Sequence, residues 1–384
     1  MEQTGNVRHI PELDGIRGMA VLSVMLFHFH SPYLAARPLG LLSAVIARGF
    51  VGVDIFFVLS GFLITSILLS TRNSTNYFQA FYARRAVRIF PLAFISIALF
   101  YWVAVPLAHR HGMLPKLPET EQIWYWLFLG NWRQGLGLND GAELGHFWSL
   151  AIEEQFYILF ALVVRYVAPR RIAWVCVGLI TASVLLRAAA TVLVGLGPQS
   201  PQWLRLTPLH LDPIALGALL ACSGGFLAWA ARWRWPLLAV GVLGLTFHVP
   251  QAFGILLSGL GAVGLVAMAV TRPVALFRMG WLRSCGKYSY AMYVLHPAWM
   301  LALLDKKYPA STGLMWTGLL LGPLVSYGLA VLSWNLLEKH FLALKRYFPY
   351  EVDPAVPALN ANEPHIVVPE NSPQPGWIRQ GDLV

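Results

Sequence analysis

The sequence predicts an all-α fold: a polytopic membrane bundle of about ten transmembrane helices, plus one short re-entrant or interfacial segment. Hydrophobic residues make up 57% of the 384 residues, and charged residues only 12%. That charged fraction is about half of what an ordinary soluble domain carries. Mean hydropathy is +0.59. Runs of roughly 20 apolar residues, long enough to cross ~30 Å of hydrocarbon, recur along most of the chain.

Each apolar run defines one expected span. In chain order they are 16–33, 49–70, 89–107, 148–168, 172–194, 207–230, 235–250, 251–271, 286–304 and 314–336. The run 123–130 is too short to cross, so we expect it to enter the membrane and return, or to lie on its surface. Residues 1–345 are predicted to form one integral-membrane domain. The proline-rich, acidic segment 346–384 is predicted to be a disordered cytoplasmic tail.

Basic residues cluster at the ends of apolar runs, which the preference of cytoplasmic loops for Lys and Arg explains. This pattern predicts that both termini are cytoplasmic. It also argues against a nucleic-acid partner, although the net charge is +10. The three cysteines, Cys176, Cys222 and Cys285, are far apart and have no metal-ligand spacing, so we expect no metal site.

The first span carries two ionisable residues on one face. Arg17 and His28 are eleven residues apart in "GIRGMAVLSVMLFH", which places them within ~20° of each other and ~16 Å apart along a helix. An ionisable group near the bilayer midplane is by default a candidate functional residue. The alternative for His28 is a neutral imidazole hydrogen-bonded between helices.

Three arginines, Arg84, Arg85 and Arg88, directly precede the predicted third span in "FYARRAVRIFPL". Arg85 and Arg88 are one turn apart on one face. With Arg17 on the same side of the membrane, they are candidates for an anion cradle, because guanidinium groups match phosphate oxygens bidentately. The alternative is that these arginines only fix the orientation of the helix.

The fourth span begins beside His146 and contains Glu153 and Glu154. Adjacent residues on a helix point about 100° apart, so only one of the two carboxylates can face the bundle interior squarely. Burying two carboxylates in an apolar segment is energetically costly, so we expect a polar cavity to accommodate them. A structural ion pair with Arg187 is the alternative.

Other polar residues are weaker candidates. Ser60 lacks the glycine pattern of a nucleophile elbow, and we assign it to helix packing. We expect His210, Asp212 and His296 to have structural roles. Asp14, Asp54 and Glu153 are possible supporting residues of a site formed by the stronger candidates.

Taken together, six motifs in this order resemble the acyltransferase-3 family of bacterial inner-membrane O-acyltransferases. The motifs are "ELDGIRGMAVLSVMLFH", "GFVGVDIFFVLSGFLIT", "FYARRAVRIFPL", "HFWSLAIEEQFY", "YSYAMYVLHP" and "WNLLEKHF", and the resemblance covers residues 8–345. The family's Arg-x10-His motif falls on Arg17 and His28, and its Arg-x-x-Arg motif falls on Arg85 and Arg88.

The resemblance implies that an acyl group, usually acetyl, moves from cytoplasmic acyl-CoA to a hydroxyl of a cell-surface or exported glycan. Acyl-CoA is then a co-substrate, no cofactor is held permanently, and the partners are a glycan or lipid-linked glycan and membrane lipid. A protein partner is neither implied nor excluded.

These observations lead to one mechanistic hypothesis. The phosphates of acyl-CoA would lie on Arg85, Arg88 and Arg17, with the thioester directed toward His28. His28 would act as general base or as a transiently acylated nucleophile. The acceptor hydroxyl would enter near His146, Glu153 and Glu154, which makes His28, Glu154 and His146 the catalytic candidates.

Two other functions remain open at this point. A transporter or flippase of a charged metabolite or lipid-linked sugar also needs polar residues inside a bundle. The second is a membrane-bound binding or sensory subunit without catalysis, which would not explain why Arg17 and His28 share one helix face.

Overall fold

The computed structural model describes residues 9–31, 40–112, 119–138, 144–195, 201–246, 251–296 and 312–351. Within these ranges the chain is helical and contains no β-strand, which confirms the all-α prediction there. The first half contains α1 (Pro11–His30), α2 (Leu41–Ile46), α3 (Val51–Ser70), α4 (Tyr77–Leu99), α5 (Val105–Arg110), α6 (Gln122–Trp126), α7 (Gly130–Gly135) and α8 (Phe147–Tyr166). A π-helical turn, Phe100–Ala104, joins α4 to α5.

The second half follows with α9 (Pro169–Leu193), α10 (Asp212–Cys222), α11 (Gly224–Arg232), α12 (Arg234–Thr246), α13 (Gln251–Thr271), α14 (Ala275–Arg278), α15 (Gly280–Lys287) and α16 (Ser289–Leu295). The last long helix is Thr312–Ser333, and it continues through the π-helical turn Trp334–Glu338 and the short helix Lys339–Ala343. Short 3-10 turns occupy Glu119–Glu121, Pro201–Arg205, Thr207–Leu209 and Leu344–Tyr347.

Six helices in the described ranges are long and apolar enough to cross a membrane, or seven if one bent pair is a single span. They are Leu41–Ser70, Tyr77–Arg110, Phe147–Tyr166, Pro169–Leu193, Phe253–Thr271 and Met315–Tyr347. Large apolar side chains point outward, among them Trp174 and Leu193, which are 74% and 80% exposed. Such a surface suits lipid and not water. The chain is a membrane protein, but the predicted count of about ten spans is not confirmed.

Four of the ten expected spans are not among these six helices: 16–33, which falls largely on α1, and 207–230, 235–250 and 286–304. The segment 207–230 is a helix pair, α10 and α11, bent by 108°. The bend falls at Ser223, whose backbone is extended and whose Oγ accepts a hydrogen bond from the N–H of Phe226 at 3.2 Å. The segment 235–250 contains only the 13-residue α12. In 286–304, α16 ends at Leu295, and 297–304 lies outside the described residues.

The third span begins earlier than expected. α4 starts at Tyr77, so Arg84, Arg85 and Arg88 lie inside the helix and not in front of it. The reason is an amphipathic period that precedes the apolar run: Tyr77, Ala80 and Phe81 are buried at the i, i+3 and i+4 positions.

The short run 123–130 folds as two short helices, α6 and α7, neither of which has the length to cross. Phe128, between them, has a left-handed backbone with φ of 52°. The Gln155 Nε2 donates to the Phe128 carbonyl at 2.8 Å, which ties this turn to α8. The segment therefore packs back onto the bundle.

Close helix packing places the middle of α3 against α10. A Cβ atom at Gly61 would overlap the carbonyl of Ile214, and one at Gly217 would overlap the carbonyl of Val58. Only glycine permits such an approach of two backbones. Ser60, next to Gly61, is thereby held at a fixed depth in the bundle.

A buried ion pair joins α9 to α10. The Arg187 Nη1 and Nη2 donate to the two oxygens of Asp212 at 2.7 Å each, and both side chains are fully buried. The predicted alternative partner of Arg187, one of the carboxylates at 153 and 154, is therefore wrong. A bidentate ion pair compensates both charges inside the bundle, where water does not reach them.

Three loops meet at one end of the bundle. The Arg165 Nη1 donates to the Arg72 carbonyl at 2.7 Å, and the Arg72 Nη2 donates to the Val167 carbonyl at 2.9 Å. The Asn76 Nδ2 donates to the Pro349 carbonyl at 2.8 Å. Residues 346–351, at the start of the predicted tail, thus contact the beginning of α4, and 352–384 lies outside the described residues.

Candidate functional site

A cavity lies between α1, α3, α4, α8 and α16. It contains about 480 Å³ of empty space, part of which is open solvent. Its described lining consists of Arg17, Ser60, Leu63, Ile64, Arg85, Arg88, Ile89, Leu150, Glu153, Tyr157 and Tyr290. Three of these residues, Arg17, Arg85 and Arg88, are the arginines on which the mechanistic hypothesis places the phosphates of acyl-CoA.

The three arginines have no hydrogen bond or ion pair with any described residue. Arg85 is held by the ring of Tyr157, whose centroid lies 5.5 Å from its guanidinium carbon. Arg84, next to it, is different, because its Nη1 donates to the carbonyls of Lys345 and Phe348 at 3.1 and 3.2 Å. Three partly buried guanidinium groups that converge on one cavity, none of them in a described ion pair, form a site for an anion.

Glu153 supplies the one carboxylate among the described lining residues. Its two oxygens accept hydrogen bonds from the Ser60 Oγ at 2.8 Å and the Tyr157 hydroxyl at 3.1 Å. The assignment of Ser60 to helix packing alone is wrong, because its hydroxyl fixes this carboxylate. Glu154 is buried outside the lining, and its Oε1 has no hydrogen-bond partner in the described ranges.

Three histidines, His28, His146 and His296, form a second cluster. The rings of His28 and His296 are stacked, with centroids 4.8 Å apart and planes 5° apart. The ring of His146 contacts that of His296 edge-on, at 4.5 Å and 64°. The described residues contain no group of His, Cys, Asp and Glu side chains placed to hold a metal ion.

The cavity and the histidine cluster share their helices. α1 carries Arg17 and His28, and α8 carries Glu153 seven residues after His146, which borders its first turn. Seven residues are about two turns, or ~10 Å, on one face. α16 carries Tyr290 and is followed by His296. His28 and His146 do not line the cavity. The cavity and the histidine cluster therefore lie at different positions along the same three helices, α1, α8 and α16.

The other predicted supporting residues lie elsewhere. Asp54 contacts the His210 Nε2 at 3.1 Å and accepts a hydrogen bond from the Ser258 hydroxyl, and all three residues are buried. Asp14 pairs with His9 at 2.7 Å. Neither carboxylate lines the cavity, so the structure does not bring them to the candidate site.

Four polar residues of the two clusters were not assigned to the site from the sequence: Ser60, Tyr157, Tyr290 and His296. Tyr157 could have been found, because it follows Glu153 by four residues on the same helix face. Tyr290 is fixed by donating its hydroxyl to the Ile89 carbonyl at 2.6 Å, beside Arg88. No periodicity within one helix reveals a contact of that kind between helices.

Comparison with known proteins adds family information. The O-acetyltransferase OatA of Staphylococcus aureus is 34% identical over 181 residues, which are 44% of this chain and 27% of that protein. The putative peptidoglycan O-acetyltransferase YrhL of Bacillus subtilis is 37% identical over 180 residues, covering 44% of this chain and 26% of that protein. The match therefore spans about a quarter of these relatives. No solved structure shows significant similarity to the chain.

The model of one protein family, described as an acyltransferase domain, matches residues 10–335. That range contains the lining of the cavity and all three histidines. This confirms the resemblance seen in the motifs, and the chain belongs to the acyltransferase-3 family.

Proposed function

We propose that this chain is a membrane O-acetyltransferase that takes an acetyl group from cytoplasmic acetyl-CoA and esterifies a hydroxyl of a cell-surface or exported polysaccharide. The observation that carries the proposal is the convergence of Arg17, Arg85 and Arg88, from two separate helices, on one cavity. Three cations face one carboxylate there, which favours a polyanion such as the phosphates of coenzyme A. The names of the two bacterial relatives support acetyl as the acyl group.

The histidine cluster supplies the chemistry. With its phosphates on the arginines, acetyl-CoA extends its flexible arm along α1 toward His28, ~16 Å away. The acceptor oxygen attacks the thioester carbonyl while His28 removes the hydroxyl proton, and the coenzyme A thiolate leaves and takes up that proton. An acetyl group carried briefly by His28 itself is the covalent variant of the same step. His146 and Glu154 remain candidates for binding or activating the acceptor.

We also propose the membrane in which the protein lies and its orientation there. The chain lies in the inner membrane of a bacterial cell, with both termini and the loops around Arg72 and Arg165 in the cytoplasm. The arginine cavity would then receive its donor from the cytoplasm, and the histidines would lie toward the outer side. Membrane lipid surrounds the bundle, and no nucleic acid takes part.

A transporter would be favoured by discontinuous helices. The bend between α10 and α11 is one such break. The buried charges next to it, Arg187 and Asp212, neutralise each other and leave no open ion site there. Transfer chemistry therefore explains the structure better than transport.

The test uses the full chain, purified in detergent and returned to lipid nanodiscs. With acetyl-CoA and a set of bacterial polysaccharides, the release of free coenzyme A thiol should continue beyond a single turnover only when an acceptor is present, and mass spectrometry should detect an acetyl ester on the acceptor. Acetyl-CoA that binds and is never consumed with any glycan would contradict the proposal. Movement of a labelled solute across the membrane without ester formation would favour the transporter.

A further inference from the structure

His296 lies at the centre of the histidine cluster, although the sequence assigned it only a structural role. We propose that His296 is a positioning residue, which holds the ring of His28 in the orientation needed for acyl transfer. This inference rests on the proposed function, because it assigns a task within the same reaction. It concerns a residue that contacts the reacting imidazole and not the substrate.

His28 has no described hydrogen bond that orients its ring. Its Nδ1 is buried and lacks a partner in the described part of the chain. Its ring lies 5.4 Å from that of its chain neighbour Phe27, at a tilt of 48°, and stacks nearly parallel on His296 at 4.8 Å, so the stack is the contact that defines the plane of the ring. Rotation of His28 about its side chain would break this stack.

His296 is itself held in place by hydrogen bonds. Its Nδ1 donates to the carbonyl of Tyr293 at 2.6 Å. The Tyr293 hydroxyl in turn donates to the His146 carbonyl at 2.6 Å and lies 2.7 Å from the Ser149 hydroxyl. His296 is therefore tied to the start of α8, and only 3% of its surface is exposed.

Both histidine neighbours of His296 are catalytic candidates. His146 contacts its ring edge-on at 4.5 Å, and His28 stacks on its face. His146 is also held, because its Nε2 donates to the Val294 carbonyl at 3.3 Å. His296 thus sets the relative position of a histidine from α1 and one from the start of α8. A reaction between a donor and an acceptor depends on such alignment, and a displacement of ~1 Å costs about 10²-fold in rate.

The experiment compares two variants of similar size. His296→Phe keeps a flat ring that can stack on His28, whereas His296→Leu fills the space without a flat face. His340→Leu is the matched control, because His340 is exposed and its described hydrogen bond is to the Asn335 carbonyl, at 3.2 Å. Steady-state rates are measured in nanodiscs and normalised to the number of acetyl-CoA binding sites, so that a loss of folded protein does not count as a loss of rate.

We expect His296→Leu to lower kcat about 10²-fold with the KM for acetyl-CoA unchanged, and His296→Phe to recover most of that loss. His296→Asn preserves a donor to the Tyr293 carbonyl without a ring, and it should behave like Leu if the Leu variant cannot be purified. Equal kcat in all variants, equal losses in Leu and Phe, or a change confined to KM would each overturn the proposal. If the wild-type protein transfers no acetyl group, the proposed function is wrong as well. If the wild-type protein is active and His296→Leu has the same kcat, only the positioning role of His296 is wrong.

Discussion

Replacing Arg85 or Arg88 by Ala should weaken the binding of acetyl-CoA. Neither guanidinium has a hydrogen-bonded partner among the described residues, so each is available for a phosphate. A hydrogen bond to a charged group contributes about 1.5–3 kcal/mol, and each 1.4 kcal/mol is a factor of ten. The dissociation constant should therefore rise roughly 10- to 150-fold for either single variant. Lysine at either position keeps the charge but loses the bidentate geometry, and should give an intermediate value.

The assay is isothermal titration calorimetry in nanodiscs of neutral lipid at fixed salt, because screening changes such interactions. Arg84→Ala is the matched control, since Arg84 already donates to the Lys345 and Phe348 carbonyls and does not line the cavity. Acetyl-pantetheine, which lacks the nucleotide phosphates, is the matched ligand and should bind all variants alike. Wild-type affinity in both Arg85→Ala and Arg88→Ala would refute the reasoning, as would an equal loss in Arg84→Ala.

Three further predictions concern charge, stability and topology. Glu153→Gln removes the single described carboxylate of the lining, so calorimetry should show acetyl-CoA binding strengthened by up to about fivefold. Weaker binding would contradict the idea that this carboxylate repels the phosphates of acetyl-CoA. Asp212→Asn leaves the buried Arg187 charge uncompensated and should lower the free energy of unfolding by about 3–5 kcal/mol. Tryptophan fluorescence during thermal unfolding in detergent should show this loss of stability. The double variant Arg187→Met, Asp212→Leu should recover much of the lost stability. Single cysteines at Asn73 and Gly137, in a chain whose three native cysteines are replaced, should react with impermeant reagents from opposite sides of the membrane, whereas labelling from one side would refute the topology.

Sequence spacing predicted the parts of the site that depend on one helix at a time. Arg85 and Arg88 are three residues apart on one face, and both line the cavity. Arg17 joins them because α1 packs beside the helices that complete the lining. Only one of the two neighbouring carboxylates lines the cavity, as expected of side chains that point about 100° apart, but it is Glu153, whereas the sequence favoured Glu154. Their catalytic roles, and those of His28 and His146, remain predictions.

The parts that failed depend on contacts between helices. Arg187 could pair with any inward-facing carboxylate, and only the packing of α9 on α10 selects Asp212. His296 follows the end of α16, where no helical period relates it to His28 on α1. The early start of α4 at Tyr77 was missed because hydropathy detects apolar length, whereas this part of the helix is amphipathic and buried on one side only.

The central claim is that the arginine cavity binds the donor while His28, ~16 Å along the same helix face, performs the transfer. The most direct measurement is a paired one on His28→Ala in nanodiscs: the affinity for acetyl-CoA by calorimetry, and the rate of acetyl ester formation per binding site by mass spectrometry. We predict an unchanged dissociation constant and a rate that falls by about 10²- to 10⁴-fold, as expected when a general base is lost. A variant that binds acetyl-CoA normally and still forms the ester at the wild-type rate would contradict the account.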